Sequence, residues 1–327
     1  MIIFFTLLIT DIFAVLFFCI CYFLFKWVGK FFHKKVRYLN FGIITLVLCL
    51  IWNLLALYGY AFGRFKYEVI EVDHIDNRVP DAFDGYRIVQ ISDLHISGFN
   101  GHEAFVDTIV NAINDLHPDL ICFTGDLVSI SHEEVIPYIY SLRNLAARDG
   151  VVSILGNHDY AVYQRSFITD EQREEDRLKL IKIQRDSLDW KLLLNENLKI
   201  CHGEDSIFIL GLENQNCGPH QKVRRGDMTE TMRGTEGAYR VLLSHDPSQW
   251  DEEVKAKTDI PLTLCGHTHA MQFKIFGWTP CRFLYERSDG LYVVENQSVY
   301  VNIGVGELLP FRIGATPEIT LHILHNN

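Results

Sequence analysis

YRIVQISDLH, residues 86–95, is an apolar run that ends in a cluster of metal-binding side chains. Ile88, Val89 and Ile91 fill a short β-branched stretch, the composition of a buried strand. Asp93 and His95 fall just past its end. The same layout recurs four times. DLICFTGD (119–126) delivers Gly125-Asp126, VVSILGNHD (151–159) delivers Asn157-His158-Asp159, YRVLLSHD (239–246) delivers His245, and PLTLCGHTH (261–269) delivers His267 and His269. In open α/β sheets, ligands bind in the crevice outside the carboxyl ends of the strands. Helical patterns near 102–116, 132–147, 169–187 and 248–257 separate the earlier runs, and strand-like segments at 291–295, 299–304 and 318–324 close the chain. Alternation followed by a strand-rich half predicts an α/β fold, a two-sheet β-sandwich flanked by helices.

Taken singly, each cluster is weak, since Gly-Asp or Asn-His after a strand is commonly a turn. His267 and His269 carry more weight, because residues two apart project to one side of an extended chain. Together, five strand exits supply carboxylates, an amide oxygen and imidazoles without cysteine. That donor mix suits Mn, Fe or Zn rather than a thiolate site. It is too large for one ion of about four to six ligands, and fits two divalent metal ions bridged by a shared carboxylate.

The set DxH, GD, GNHD, H, GHxH, in that order from Asp93 to His269, resembles the calcineurin-like metallophosphoesterase superfamily. SDLH, GNHD and GHTH are similar to its bacterial membrane-associated branch, which includes secreted phosphoesterases and UDP-2,3-diacylglucosamine pyrophosphatase-type enzymes. The resemblance implies an α/β/β/α fold over residues 67–327. It also implies metal ligation by Asp93, His95 and His269 at one ion and by Asn157, His245 and His267 at the other, with Asp126 bridging. Mn is favoured. His158 would act on the leaving oxygen or the phosphoryl charge, oriented by Asp159, and water held between the ions would be the nucleophile. Where many relatives continue Gly-Gly-Gln after GHTH, this chain has Ala270-Met271-Gln272, which unsettles any substrate carried over from them.

The first 66 residues lie outside that pattern. Residues 1–25 and 41–62 are apolar runs of about the 20 residues that cross a bilayer as a helix, so 1–66 reads as a two-helix membrane anchor with spans near 3–25 and 41–62. Asp11 is costly inside a span and is expected to face the second helix or a headgroup. The loop between the spans carries Lys26, Lys30, Lys34, Lys35 and Arg37, and only Arg64 and Lys66 follow the second span closely. The positive-inside rule then gives a multi-pass cell-membrane protein with the 26–40 loop cytoplasmic and the catalytic domain extracytoplasmic.

Charge follows the same division. Residues 1–66 hold seven Lys/Arg and one acid, a net of +6, whereas the remainder holds 23 basic and 40 acidic residues, a net of −17. An acidic body is a poor partner for duplex nucleic acid. The implied partners are the membrane and a phosphate-ester substrate, with envelope or lipid-linked mono- or diesters favoured by the tether. A UDP-2,3-diacylglucosamine pyrophosphatase of lipid A synthesis is the alternative, at odds with the orientation because that substrate lies on the cytoplasmic face. A non-catalytic metal-binding membrane protein is the second alternative. Lys222, Arg224 and Arg225 could meet a phosphate, and Phe273, Phe276, Trp278 and Phe283 could form an apolar platform. Cys201, Cys217 and Cys281 leave room for one disulfide.

Overall fold

In the computed structural model, residues 2–31, 38–167, 169–215 and 223–327 are described. Lys34, Lys35, Arg37, Cys217 and Lys222 lie outside them. Among the described residues, twelve strands form two six-stranded sheets. The first orders β1 (Glu68–Ile75), β12 (Glu318–His325), β2 (Tyr86–Ile91), β3 (Leu120–Phe123), β4 (Val151–Ser153) and β5 (Lys191–Leu192). The second orders β10 (Gly290–Val294), β11 (Gln297–Val301), β9 (Leu262–Cys265), β8 (Tyr239–Leu243), β7 (Asp205–Gly211) and β6 (Glu196–His202). β2, β3, β4 and β5 run parallel, as do β7, β8 and β9. Parallel pairing sends all five motif-bearing exits to one rim.

The period-two alternation of strand side chains builds three apolar layers. Ile88, Leu120, Cys122, Val152 and Ile154 face Ile207, Ile209, Val241, Leu243 and Leu264 between the sheets. Val89, Ile91, Ile121 and Phe123 pack outward under α3 (Glu103–Asp115), through its Val106, Ile109, Val110 and Ile113. On the opposite face Leu242, Cys265, Val299 and Val301 meet Trp250 and Val254. Cys122 and Cys265 are therefore small core residues. Cys201 is exposed, Cys281 is buried, and both are free thiols.

The expected helices are shorter than their patterns. Over 132–147, a 3₁₀ segment, His132–Tyr138, precedes one turn of α4 (Ile139–Leu142), because Pro137 inside it cannot donate to an α-helical ladder. The 169–187 helix is α5 (Asp170–Lys182), capped by Thr169 and Gln172 and ended by a π-turn. Residues 248–257 form one α-turn and a π-turn.

At the N-terminus, α1 (Ile2–Phe31) and α2 (Tyr38–Ala61) pack on each other, and both are long and apolar enough to cross a membrane. Asp11 does face α2: Asn53 Nδ2 donates to its Oδ1 and Oδ2 at 3.0 and 2.9 Å. Trp52 Nε1 donates to Thr10 Oγ1 at 3.0 Å. The segment after α2 is woven into the body. Phe65 packs against His102 and Phe105, and Arg64 pairs with Glu307 at 2.7 Å and donates to the Gly98 carbonyl.

Candidate metal centre

Three overlapping groups of donors gather at the rim. Asp93, His95 and His269 form the first, His95, Asp126 and His158 the second, and Asp126, His245 and His267 the third, the ligand atoms of each within 4.8 Å of one another. Asp126 belongs to two of the groups. Its Oδ2 lies 3.6 Å from His95 Nε2 and 3.2 Å from His245 Nε2. Asn157 presents Oδ1 3.1 Å from His245 Nε2, and its Nδ2 donates to Tyr163. All seven residues expected to bind metal thus meet in one place.

The backbone is bent to bring them there. Asp93, His95, Asp126, His267 and His269 all have positive φ, between 39 and 75°. For residues with a Cβ this left-handed geometry costs about 1–2 kcal/mol each, and such strain clusters at functional sites. Two motif glycines permit the close approach. A Cβ on Gly156 would collide with Asp126 Oδ1, and one on Gly266 with Ser92 Oγ and Asp93 Oδ2.

Hydrogen bonds fix which imidazole nitrogen faces the centre. His245 Nδ1 donates to the Thr124 carbonyl at 2.8 Å, leaving Nε2 for the site. His158 Nδ1 donates to the Ser129 carbonyl at 2.7 Å and likewise turns Nε2 inward. This corrects the role expected of Asp159. That carboxylate accepts the backbone N–H groups of Asp126, Leu127, Val128 and Gly156, at 2.9–3.1 Å. It braces the Gly125-Asp126 turn against the Gly156-Asn157 turn, and Ser129 orients His158 instead.

Burial, then the Arg312 guanidinium 3.3 Å from Nδ1, holds His269 well below the ordinary histidine pKa. Burial does the same for His95 and lowers the pKa of His267. His245 moves the other way: burial lowers its pKa, but Asp126 outweighs that and raises it to about 10. Burial opposes ionisation of Asp126, and the surrounding imidazoles, His245 foremost, overcome it and hold the carboxyl far below its ordinary value. An ionised carboxylate beside His95, His267 and His269, all held unprotonated, is what a divalent cation requires of its ligands, and a cation bound there would displace the proton that Asp126 holds on His245, so the donor set fits.

Sequence reasoning missed Arg312. It is 1% exposed and donates to the carbonyls of Ile303, Gly304, Gly306 and Ala315. Nothing in FRIGATP (311–317) marks it, because its partners are main-chain groups. Tyr285, 2.8 Å from His267 Nε2, and Tyr163, whose ring stacks on His158, were also without a sequence signal.

The family model of the calcineurin-like phosphoesterases matches residues 86–271, the stretch holding all five motifs. The chain belongs to that family and is a metal-dependent phosphoester hydrolase. It is 29% identical over 291 residues to the uncharacterized metallophosphoesterase YkuE of Bacillus subtilis, covering 82% of this chain and 89% of that one. It is 29% identical over 289 residues to a Danio rerio transmembrane protein with metallophosphoesterase domain, covering 86% of this chain but 62% of the fish protein. It is 27% identical over 308 residues to the UDP-2,3-diacylglucosamine pyrophosphatase LpxG of Chlamydia trachomatis, covering 77% and 88% respectively.

Proposed function

We propose that the chain is a membrane-anchored dinuclear-metal phosphoesterase acting on envelope or lipid-linked phosphate esters. The observation that carries this is the single carboxylate, Asp126, set between two imidazole groups at the foot of two membrane-length helices. Asp93, His95 and His269 would hold one ion, and Asn157, His245 and His267 the other, with Asp126 shared. When bound, the pair supplies Lewis acidity to the phosphoryl oxygens and acidifies water. The protein's own contribution is to place His158. With Nδ1–H committed to Ser129, its Nε2 is free to carry the proton given to a leaving alkoxide, or to donate to a phosphoryl oxygen. Asp159 keeps the two turns in register so that Asn157 and His158 point to opposite tasks. Mn remains the favoured metal on donor chemistry.

The test uses the full-length protein in detergent, with metal content and turnover measured on p-nitrophenyl phosphate, its bis ester, a phosphatidic acid and a UDP-linked lipid. Turnover with two ions per chain supports the reading. A protein that binds two ions and hydrolyses none of the panel supports the non-catalytic alternative. Selective turnover of the UDP-linked lipid promotes the pyrophosphatase reading, which the likeness to the Chlamydia protein favours.

A further inference from the structure

Immediately after His269 the chain forms an apolar lip. Residues 270–284, AMQFKIFGWTPCRFL, contain no acid in a protein with 41, and two bases, Lys274 and Arg282. Met271, Phe276, Trp278, Phe283 and Leu284 are exposed, and Leu308 and Leu309 of the neighbouring loop are exposed as well. Gln272 joins the two segments, donating to the Leu309 and Phe311 carbonyls and accepting from the Leu308 and Leu309 amides.

Two features separate this lip from scattered surface apolarity. The first is strain. Ile275 and Trp278 close a two-residue hairpin by reciprocal backbone bonds at 2.9 and 3.0 Å, with Phe276 and Gly277 both at positive φ. Such a turn favours Asn-Gly, since its first position is left-handed. Here that position holds a phenylalanine at φ 50° with its whole side chain outside the protein. Met271 repeats the choice, at φ 51° and half exposed. Large apolar side chains are kept where the backbone favours glycine or asparagine, and the phenylalanine, fully exposed, buries nothing against the body to recover the cost.

The second feature is level. Phe273 meets Trp52 of α2, ring centroids 6.3 Å apart. Trp52 lies nine residues before Ala61, the end of α2, which is about 13 Å back along the axis at roughly 1.5 Å per residue. The lip therefore sits alongside the apolar length of α2 rather than beyond its end.

We propose that the lip formed by residues 271–284 with Leu308 and Leu309 is a bilayer-docking surface. Phe276, Trp278 and Phe283 enter the headgroup–acyl boundary beside α2, and Arg282 reaches for lipid phosphate. Because the lip starts two residues after His269, it would hold the metal centre at the surface of the leaflet. This rests on the reading of α1 and α2 as membrane spans.

The experiment reconstitutes the full chain in phosphatidylcholine vesicles with brominated acyl chains, which quench nearby tryptophans. Trp190 and Trp250 are buried in the body, and Trp27 and Trp52 contribute equally to every variant. Bromine quenching is expected to be greater in wild type than in Trp278→Phe, and Phe276→Asp is expected to reduce that Trp278-dependent difference at least twofold. Equal quenching of wild type and Trp278→Phe overturns the proposal. So does a dimer in detergent that Phe276→Asp dissolves without changing quenching, since the lip would then cover a second copy. Alkaline carbonate washing keeps the failures apart. If the chain is stripped from membranes, the anchor reading itself falls; if it is retained without Trp278-dependent quenching, the lip alone falls.

Discussion

At Asp126 one carboxylate faces both imidazole groups while its Oδ1 accepts the His158 backbone N–H at 2.8 Å. Asp126→Ala is therefore expected to remove both ions by elemental analysis, whereas Asn157→Ala should mainly weaken one. Two tightly bound ions per chain in Asp126→Ala would defeat the bridging assignment. His158 donates from Nδ1 to a carbonyl and ligates nothing in the proposed scheme, so His158→Asn should keep both metals. It should lose about 10²–10⁴-fold in kcat/KM on an alkyl ester and clearly less on a nitrophenyl ester, whose leaving group needs no proton. Equal losses on both would leave only electrostatic stabilisation. Asp159→Asn should behave differently from His158→Asn. Two of its acceptor sites are replaced by donors facing amide N–H groups, so metal content should fall, with no leaving-group trend. The gathered residues were legible because metal chemistry leaves its mark on side-chain identity and spacing. The brace role of Asp159 and the place of Arg312 were not, because both act on main-chain groups that every sequence shares.

The strands were legible for a related reason: β3 is buried on both faces and reads as an unbroken apolar run, and β2, β8 and β9 are mostly apolar, interrupted only by Arg87 and Gln90, by Arg240 and by Thr263. Helix lengths were not, since Pro137 and the π-turns answer to packing and local hydrogen bonds rather than to periodicity. One polar thread runs through the strands. His74 of β1 bonds His322 of β12 at 2.9 Å, His322 bonds Gln90 of β2 at 3.0 Å, and Gln90 donates to the Cys265 carbonyl. Burial lowers the His74 pKa to about 4. The unfolded chain takes up that proton below about 6.5 and the folded one refuses it until about 4, so the stability is full above pH 6.5 and is lost as pH falls through that window. At about 1.4 kcal/mol per unit, the loss amounts to roughly 3 kcal/mol. His74→Gln keeps a donor for His322 and removes the titration. Its thermal midpoint should fall less steeply than wild type between pH 7 and 5 at matched metal load. Parallel slopes would show that His74 does not titrate in this range.

Over the whole molecule, the residues just before the boundary expected near residue 66 are in contact with the body. Gly59 and Gly63 sit against the Arg312 carbonyl, the Arg312 N–H donates to the Gly59 carbonyl at 3.3 Å, and Arg64 is buried with Glu307. Breaking a buried pair by removing one partner costs about 3–5 kcal/mol, so Arg64→Ala should destabilise the body as well as the junction. The same contacts bear on orientation. After α2 only Arg64 and Lys66 follow closely; Arg64 is committed to Glu307 and the Gly98 carbonyl, and Lys66 donates to Tyr58 at 2.8 Å. Both therefore have reasons to be basic that do not depend on which side of the membrane they occupy. Lys26 and Lys30 at the end of α1, with Lys34, Lys35 and Arg37 following in the sequence, form a dense basic group in the short stretch between the two apolar runs, where the positive-inside rule acts most strongly. The loop is then expected in the cytoplasm and the metal centre on the far side. A C-terminal alkaline phosphatase fusion should be active and a green fluorescent protein fusion dark in a bacterial host. Changing Lys26, Lys30, Lys34, Lys35 and Arg37 to glutamine should weaken or invert that pattern. A fluorescent C-terminal fusion on the unaltered chain would place the body in the cytoplasm, with access to UDP-linked lipid, and would make the pyrophosphatase reading the stronger one.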